Sequence, residues 1–135
     1  MSDNESTLGD IKAVMNLLIP ALAAEKAQSL QMIRSITTRL EHASKDAPSK
    51  PVESLLEILD NLDIMIDDIN STILINETLA SATPTQISEF YIYFLSLENL
   101  NDGLRRAIKP ISILRKFCQS RIDEVRQSDV PNSSI

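Results

Sequence analysis

The chain has 135 residues, 43% of them hydrophobic and 24% charged, and a formal net charge of −6. Two glycines are too few for a β-sandwich, a β-barrel or a glycine-rich phosphate loop, because tight turns depend on glycine's tolerance of positive φ. A single cysteine excludes an internal disulfide and favours a reducing compartment, for which we expect the cytoplasm. The acidic balance disfavours nucleic acid as a partner, and no stretch reaches the roughly 18 apolar residues of a membrane span. These features predict one all-α domain.

Residues 7–43 form the first predicted helix. Apolar side chains recur there at steps of three and four residues, beginning with Leu8, Ile11, Met15, Leu18 and Leu22. Pro20 removes one backbone hydrogen bond and crowds the preceding turn, so we expect a kink or a break between Asn16 and Pro20. If the helix breaks, residues 8–19 form a fourth helix.

The second helix follows a polar loop that contains Pro48 and Pro51, since proline suits the first turn of a helix. Its apolar residues alternate three- and four-residue steps without interruption: Val52, Leu55, Leu59, Leu62, Ile66, Ile69 and Ile73. This alternation is typical of helices that pack in a left-handed coiled coil. We therefore expect the second helix to lie along a neighbour for most of its length.

The third helix is predicted to begin at Pro84, because the sequence Thr83-Pro84-Thr85-Gln86 resembles a helix capping box. Its apolar stripe runs from Ile87 to Val125. Short connections between three long helices favour an antiparallel, up-down-up arrangement.

The fold prediction is thus a long antiparallel three-helix bundle with coiled-coil-like packing, or a four-helix bundle if the first helix breaks at Pro20. A single domain covers residues 7–127. The polar ends at 1–6 and 128–135 are predicted to be disordered tails.

Charge is distributed unevenly between the second and third helices. The second carries acidic residues and no Lys or Arg, whereas residues 105–126 carry seven basic side chains. An antiparallel hairpin places Asp60 level with Arg105 and Glu57 level with Lys109, so we expect ion pairs that define the register within the bundle. Four acidic residues find no basic partner in that register and become candidates for contact with a basic ligand: Asp67, Asp68, Glu98 and Asp102.

Some apolar residues lie outside the stripes that the bundle itself needs. Tyr91, Ile92 and Leu95 point away from the core stripe of the third helix, and the second helix has a similar pair level with them. Exposed apolar patches of this kind mark partner sites. The predicted partner-binding residues are Leu74, Ile75, Tyr91, Ile92, Leu95, Asp67 and Asp68. The alternative is that residues 8–19 fold back and cover the patch.

Two alternatives involve chemistry. The sequence His42-Ala43-Ser44-Lys45 contains the only histidine and resembles the His-x-x-Lys step of histidine phosphotransfer domains, although here the helix is predicted to end just after it. The acidic row of Glu53, Glu57 and Asp60 resembles all-α, metal-dependent nucleotide pyrophosphohydrolases in its helicity and acidity only. A solvated helix face is the commoner origin of such a row.

The function that the sequence favours is that of a non-catalytic interaction protein, meaning an adaptor, an assembly subunit or a chaperone. It would bind another helical protein or form a homo-oligomer. Secretion chaperones of the flagellar or type III kind are similar in size, acidity and helicity. We expect no catalytic residue, no metal site and no cofactor, and we expect Cys118 to be a buried structural thiol, since it lies on the apolar stripe of the third helix.

Overall fold

A computed structural model describes the backbone of residues 2–129 and the side chains of residues 9–128. It contains three long helices, α1 (Ser2–Asp46), α2 (Val52–Ala82) and α3 (Ser88–Asp129). Each pair of helices is in contact, and α2 packs most extensively against α3. The predicted all-α three-helix bundle is confirmed. Within the described residues, no helix combines the length and the apolarity needed to cross a bilayer.

The first helix runs through Pro20, so the predicted break and the fourth helix at 8–19 are wrong. Pro20 is exposed, while Met15 and Leu22 on either side of it are buried against α3. The carbonyl that loses its hydrogen bond belongs to the exposed Asn16, where water can replace the missing donor. Packing on both sides of the proline therefore holds the helix in one piece.

The ends of the domain stay a prediction. The backbone of α1 is helical from Ser2, so the helix includes most of the segment assigned to an N-terminal tail. The tail predicted at 128–135 lies almost wholly outside the described residues.

The connection between α1 and α2 is short and tied to α3. A single 3-10 turn at Ala47–Ser49 follows α1, and the carbonyl of Pro51 accepts the first backbone hydrogen bond of α2. The guanidinium of Arg121 donates to the carbonyl of Pro48 at 3.1 Å. This contact holds the loop against the last part of α3.

The connection between α2 and α3 differs from the predicted one. The hydroxyl of Thr83 donates to the carbonyl of Leu79 at 2.7 Å, so it belongs to the end of α2 and does not cap α3. Thr83 is extended, and the carbonyl of Ile87 accepts the first backbone hydrogen bonds of α3. The predicted capping box is therefore wrong, and α3 begins four residues later than expected, at Ser88.

Ion pairs show that α2 and α3 are antiparallel, and they correct the register. Arg115 binds Asp63 and Arg105 binds Glu77, both at 2.6 Å, so the numbering rises along one helix as it falls along the other. The expected pairing of Arg105 with Asp60 is wrong, and so is that of Lys109 with Glu57, because the chain runs on past the end of α2 before α3 starts.

The corrected register leaves α3 longer than α2 at one end of the bundle. Asn76 donates to Asn101 and lies six residues before the end of α2, whereas Asn101 lies thirteen residues after the start of α3. At about 1.5 Å per residue, α3 extends about 10 Å beyond the end of α2. α1 lies beside that stretch, and Leu79 and Ala80 near the end of α2 pack against the same buried residues.

The buried apolar residues form two clusters. The larger one involves all three helices and defines what we call the three-helix body; it contains Ile36, Ala47, Leu55, Leu59, Leu62, Met65, Ile69, Ile73, Leu104, Ile111, Leu114, Cys118 and Ile122. The smaller one defines the open end, where α3 extends past α2, and contains Met15, Leu22, Phe90 and Leu97. Gly103 lies between them, where an added Cβ would be 3.4 Å from Ile33 Cδ1, so a small residue lets α1 approach α3 closely.

Three polar side chains, one from each helix, meet at the boundary between the two clusters. Asn76 Nδ2 donates to Ser29 Oγ at 3.0 Å and to Asn101 Oδ1 at 2.9 Å. Asn101 Nδ2 donates in turn to the carbonyl of Ile73. Asn76 Oδ1 is buried and has no hydrogen-bond partner among the described residues. A polar group of this kind favours one register over others, because a shifted neighbour would leave more donors unpaired.

Candidate interaction surface

All seven residues predicted to bind a partner are exposed on the bundle. Leu74 and Ile92 are each 64% exposed, which is unusual for side chains of this size. The idea that residues 8–19 cover them is wrong, since those residues continue α1 and pack on the opposite, buried side of α3. Whether a partner binds them stays a prediction.

The seven residues do not form one patch. Asn76 contacts Asn101, so Leu74 and Ile75 lie level with the middle of α3, about 15 Å along the bundle from Ile92. The predicted alignment of the two groups is wrong because it relied on the uncorrected register.

Leu74 and Ile75 also face different neighbours. Leu74 lies one turn before Glu77, on the side of α2 that pairs with α3. Ile75 lies two turns after Asp68, which lines a groove of about 290 Å³ between α1 and α2 together with Arg39 and Met65. Asp68 therefore belongs to the α1 side.

The first turns of α3 carry a group of neighbouring exposed apolar side chains, which we call the α3 patch: Tyr91, Ile92 and Leu95. The ring of Tyr91 stacks on that of Phe94, with centroids 6.1 Å apart. Phe90, one residue before Tyr91, is only 2% exposed because it points at α1. The patch thus lies outside the core, on the part of α3 that α2 does not reach.

An acidic groove of about 460 Å³ adjoins the α3 patch and lies between the last turns of α2 and the first half of α3. Phe94 lines one wall of the groove. The charged side chains that line the groove are Glu77, Glu98, Asp102 and Arg105. Arg105 binds both Glu77, at 2.6 Å, and Asp102, at 3.1 Å. Asp102 therefore has a basic partner, contrary to prediction, while the groove as a whole stays negative.

A further groove, which is apolar, was not predicted. It has a volume of about 270 Å³ and is lined by Asp10, Ile11, Val14, Met15, Leu18, Ala82 and Pro84. The sequence placed Ile11 on a core stripe, yet it is 39% exposed, and Val14 beside it is 63% exposed. No signal in the sequence predicted this groove.

The residues with possible chemistry are dispersed. His42 is exposed near the end of α1 and lines a shallow groove with Arg39 and Asn61. Glu57 lies exposed on α2, and Asp68 does not face Glu98, since the two line different grooves. Among the described side chains, no group of three His, Cys, Asp or Glu residues is arranged to hold a metal ion.

Cys118 is buried in the large cluster, as expected. Burial raises the pKa of its thiol, because the apolar surroundings disfavour the charged thiolate. A thiol in this state is a structural core residue.

Fold and surface together define a three-helix bundle with apolar and acidic surface at its open end. Comparison of the chain with protein-family models, with curated proteins and with solved structures gave no significant match.

Proposed function

We propose that the protein is a non-catalytic helical interaction protein of the cytoplasm, an adaptor, assembly subunit or chaperone that binds another helical protein or a second copy of itself. The observation that carries the proposal is the α3 patch. Three neighbouring large apolar side chains are 39% to 64% exposed on one helix, next to a groove that also opens to solvent. Contiguous exposed apolar surface of this kind is a cost to a monomer unless a partner covers it.

The shape of the patch favours a helical partner. Its residues lie within one turn of a continuous helix, and the acidic groove beside them follows the direction of the bundle. An apolar helix face typically docks against another helix, which inserts side chains at three- and four-residue steps. The acidic wall adds a preference for basic residues along one edge of the partner helix.

Light scattering coupled to size-exclusion chromatography, followed by a pull-down with the purified chain, tests the proposal. We expect either an oligomer or a retained helical partner, and we expect the Ile92→Asp variant to lose it while keeping its helical circular dichroism. Leu30→Asp is the matched control, because Leu30 is an exposed apolar residue on α1 outside the patch. If the wild-type chain is monomeric and retains nothing that the Ile92→Asp variant loses, the proposal is wrong.

A further inference from the structure

One exposed stripe runs along the outer side of α3 for most of its length. Its members follow steps of three and four residues and are all exposed; in order they are Ile92, Leu95, Asn99, Asp102, Arg106, Lys109, Ile113 and Lys116. We call this the outer stripe. It shares Ile92 and Leu95 with the α3 patch, but its second half lies on the three-helix body. Ile113 there is 61% exposed, although the core beneath it is closed.

The two halves of the outer stripe complement each other at its centre and at one apolar position in each half. Apolar residues lie near both ends, at Leu95 and Ile113, while the centre changes from acidic Asp102 to basic Arg106. An antiparallel copy of the stripe, centred between residues 102 and 106, brings the apolar residues and the central charges opposite each other, while Asn99 lies opposite Lys109 and Ile92 opposite Lys116. Leu95 then meets Ile113 of the second copy, and Asp102 meets Arg106 of the second copy.

We propose that the outer stripe of α3 is the contact through which two copies of this chain form a symmetric, antiparallel dimer. The inference rests on the proposed function and selects self-association through one face. A two-fold dimer needs a surface that is complementary to itself, because each contact occurs twice. A parallel pairing would place like charges opposite each other, so the pattern specifies the antiparallel one.

The ion pairs within the bundle leave these charges available. Arg106 and Lys109 make no ion pair among the described residues, so both can contact a second copy. Asp102 binds Arg105 through one carboxylate oxygen, and its side chain is 60% exposed. The overall charge of −6 would disfavour association of two copies through most faces, but the outer stripe holds both signs.

Charge reversal provides the test. We expect Asp102→Arg and Arg106→Asp each to raise the dissociation constant of the dimer about tenfold, since two attractive contacts become two repulsive ones. We expect an equimolar mixture of the two variants to form a heterodimer at least as tight as the wild-type dimer, because every opposed pair is then of opposite charge. Sedimentation-velocity ultracentrifugation at low salt measures all three constants.

Two control variants carry the same charge reversals on the other two helices. Asp60→Arg and Arg34→Asp alter exposed residues of α2 and α1 that lie off the outer stripe, and they should leave the dimer unchanged. Circular dichroism of each variant verifies that the bundle is folded.

The outcomes separate the two proposals. A wild-type dimer that neither variant weakens overturns the outer stripe as the interface but supports self-association by another face, as the proposed function allows. A wild-type chain that is monomeric up to the highest soluble concentration overturns the dimer, while the pull-down that compares the wild type with the Ile92→Asp variant still decides the proposed function. Weakening by both single variants without recovery in their mixture also overturns the antiparallel pairing.

Discussion

The three-helix body and the open end contain similar sequence patterns but have different surroundings. In the body, the stripe of α3 that includes Ile111 is enclosed by α1 and α2. At the open end, the same stripe continues through Leu97 and Phe90, where α1 covers it and α2 contributes only its last residues, Leu79 and Ala80. Because a helix in a bundle is enclosed only where it has two neighbours, the end of α2 creates the apolar surface of the open end.

We expect the largest difference between the two regions when a buried leucine is truncated to alanine and the loss in the free energy of unfolding is measured. Leu62 and Leu22 are both fully buried, but Leu62 belongs to the body and Leu22 to the open end. We expect Leu62→Ala to lower the free energy of unfolding by about 3 kcal/mol, as typical for a leucine in a closed core. We expect Leu22→Ala to cost less, about 2 kcal/mol, because the smaller cluster can adjust more easily.

Urea denaturation measures both values, and hydrogen exchange locates the effect. Leu22→Ala should speed amide exchange mainly in the first halves of α1 and α3, whereas Leu62→Ala should speed it throughout. Equal and global effects from both substitutions would mean that body and open end are a single cooperative unit.

The boundary between the two regions depends on the buried polar contact of Asn76. Asn76→Ala removes the donor to Ser29 and Asn101, so we expect a loss of about 2 kcal/mol in the free energy of unfolding, which thermal and urea denaturation both measure. Replacing all three residues by apolar ones should restore that stability, since no buried polar group would then lack a partner. If the triple replacement is as unstable as the single one, the contact does not account for the loss.

The corrected register predicts a smaller effect. Arg105→Glu places a negative charge beside Glu77 and Asp102, and we expect it to lower the free energy of unfolding by about 0.5 to 1 kcal/mol at low salt. The loss should shrink as salt screens the repulsion. Arg34→Glu is the control, because Arg34 makes no ion pair among the described residues. Equal melting temperatures for the two variants at low salt would contradict the observed register.

The smallest expected effect is on the free energy of unfolding at alkaline pH, and it comes from the Cys118 thiol in the three-helix body. Burial raises the pKa of Cys118 in the folded chain above its ordinary value of 9.0, so the unfolded chain releases this proton at a lower pH. The contribution of the buried thiol to stability is therefore complete below its ordinary pKa and is lost as the pH rises through the pKa of the folded chain. We expect the free energy of unfolding of the wild type to fall more than that of Cys118→Val between about pH 8 and about pH 10. If the free energy of unfolding falls equally with pH in the wild type and in Cys118→Val, the prediction is wrong.

The candidate surface could be predicted in part. The exposed positions of Tyr91, Ile92 and Leu95 follow from helix periodicity, because they lie about 100° or more from the core stripe at Phe90 and Leu97. Their relation to Leu74 and Ile75 could not be predicted, since it depends on where α3 starts. An error of four residues in that start, and an extended loop, displaced one helix along the other by several turns.

The sequence by itself determined the helices and their buried faces. The scarcity of glycine and the repeating apolar steps leave a helical bundle as the way to bury those side chains, and the uninterrupted stripe of α2 places Leu55, Leu62 and Ile69 in the core. Such local signals depend on neighbours within one or two turns. They are therefore readable without knowledge of the fold.

Only the tertiary structure decided whether α1 breaks and how far α3 extends past α2. The sequence around Pro20 favours a kink or a break, but α1 continues through it, because burial of Met15 and Leu22 against α3 outweighs the loss of one hydrogen bond. The register likewise depends on contacts between residues far apart in the chain, such as Asn76 with Asn101 and Arg105 with Glu77. Because a repeating apolar stripe fits a neighbour at several offsets, such specific contacts and the geometry of the loop must select one of them.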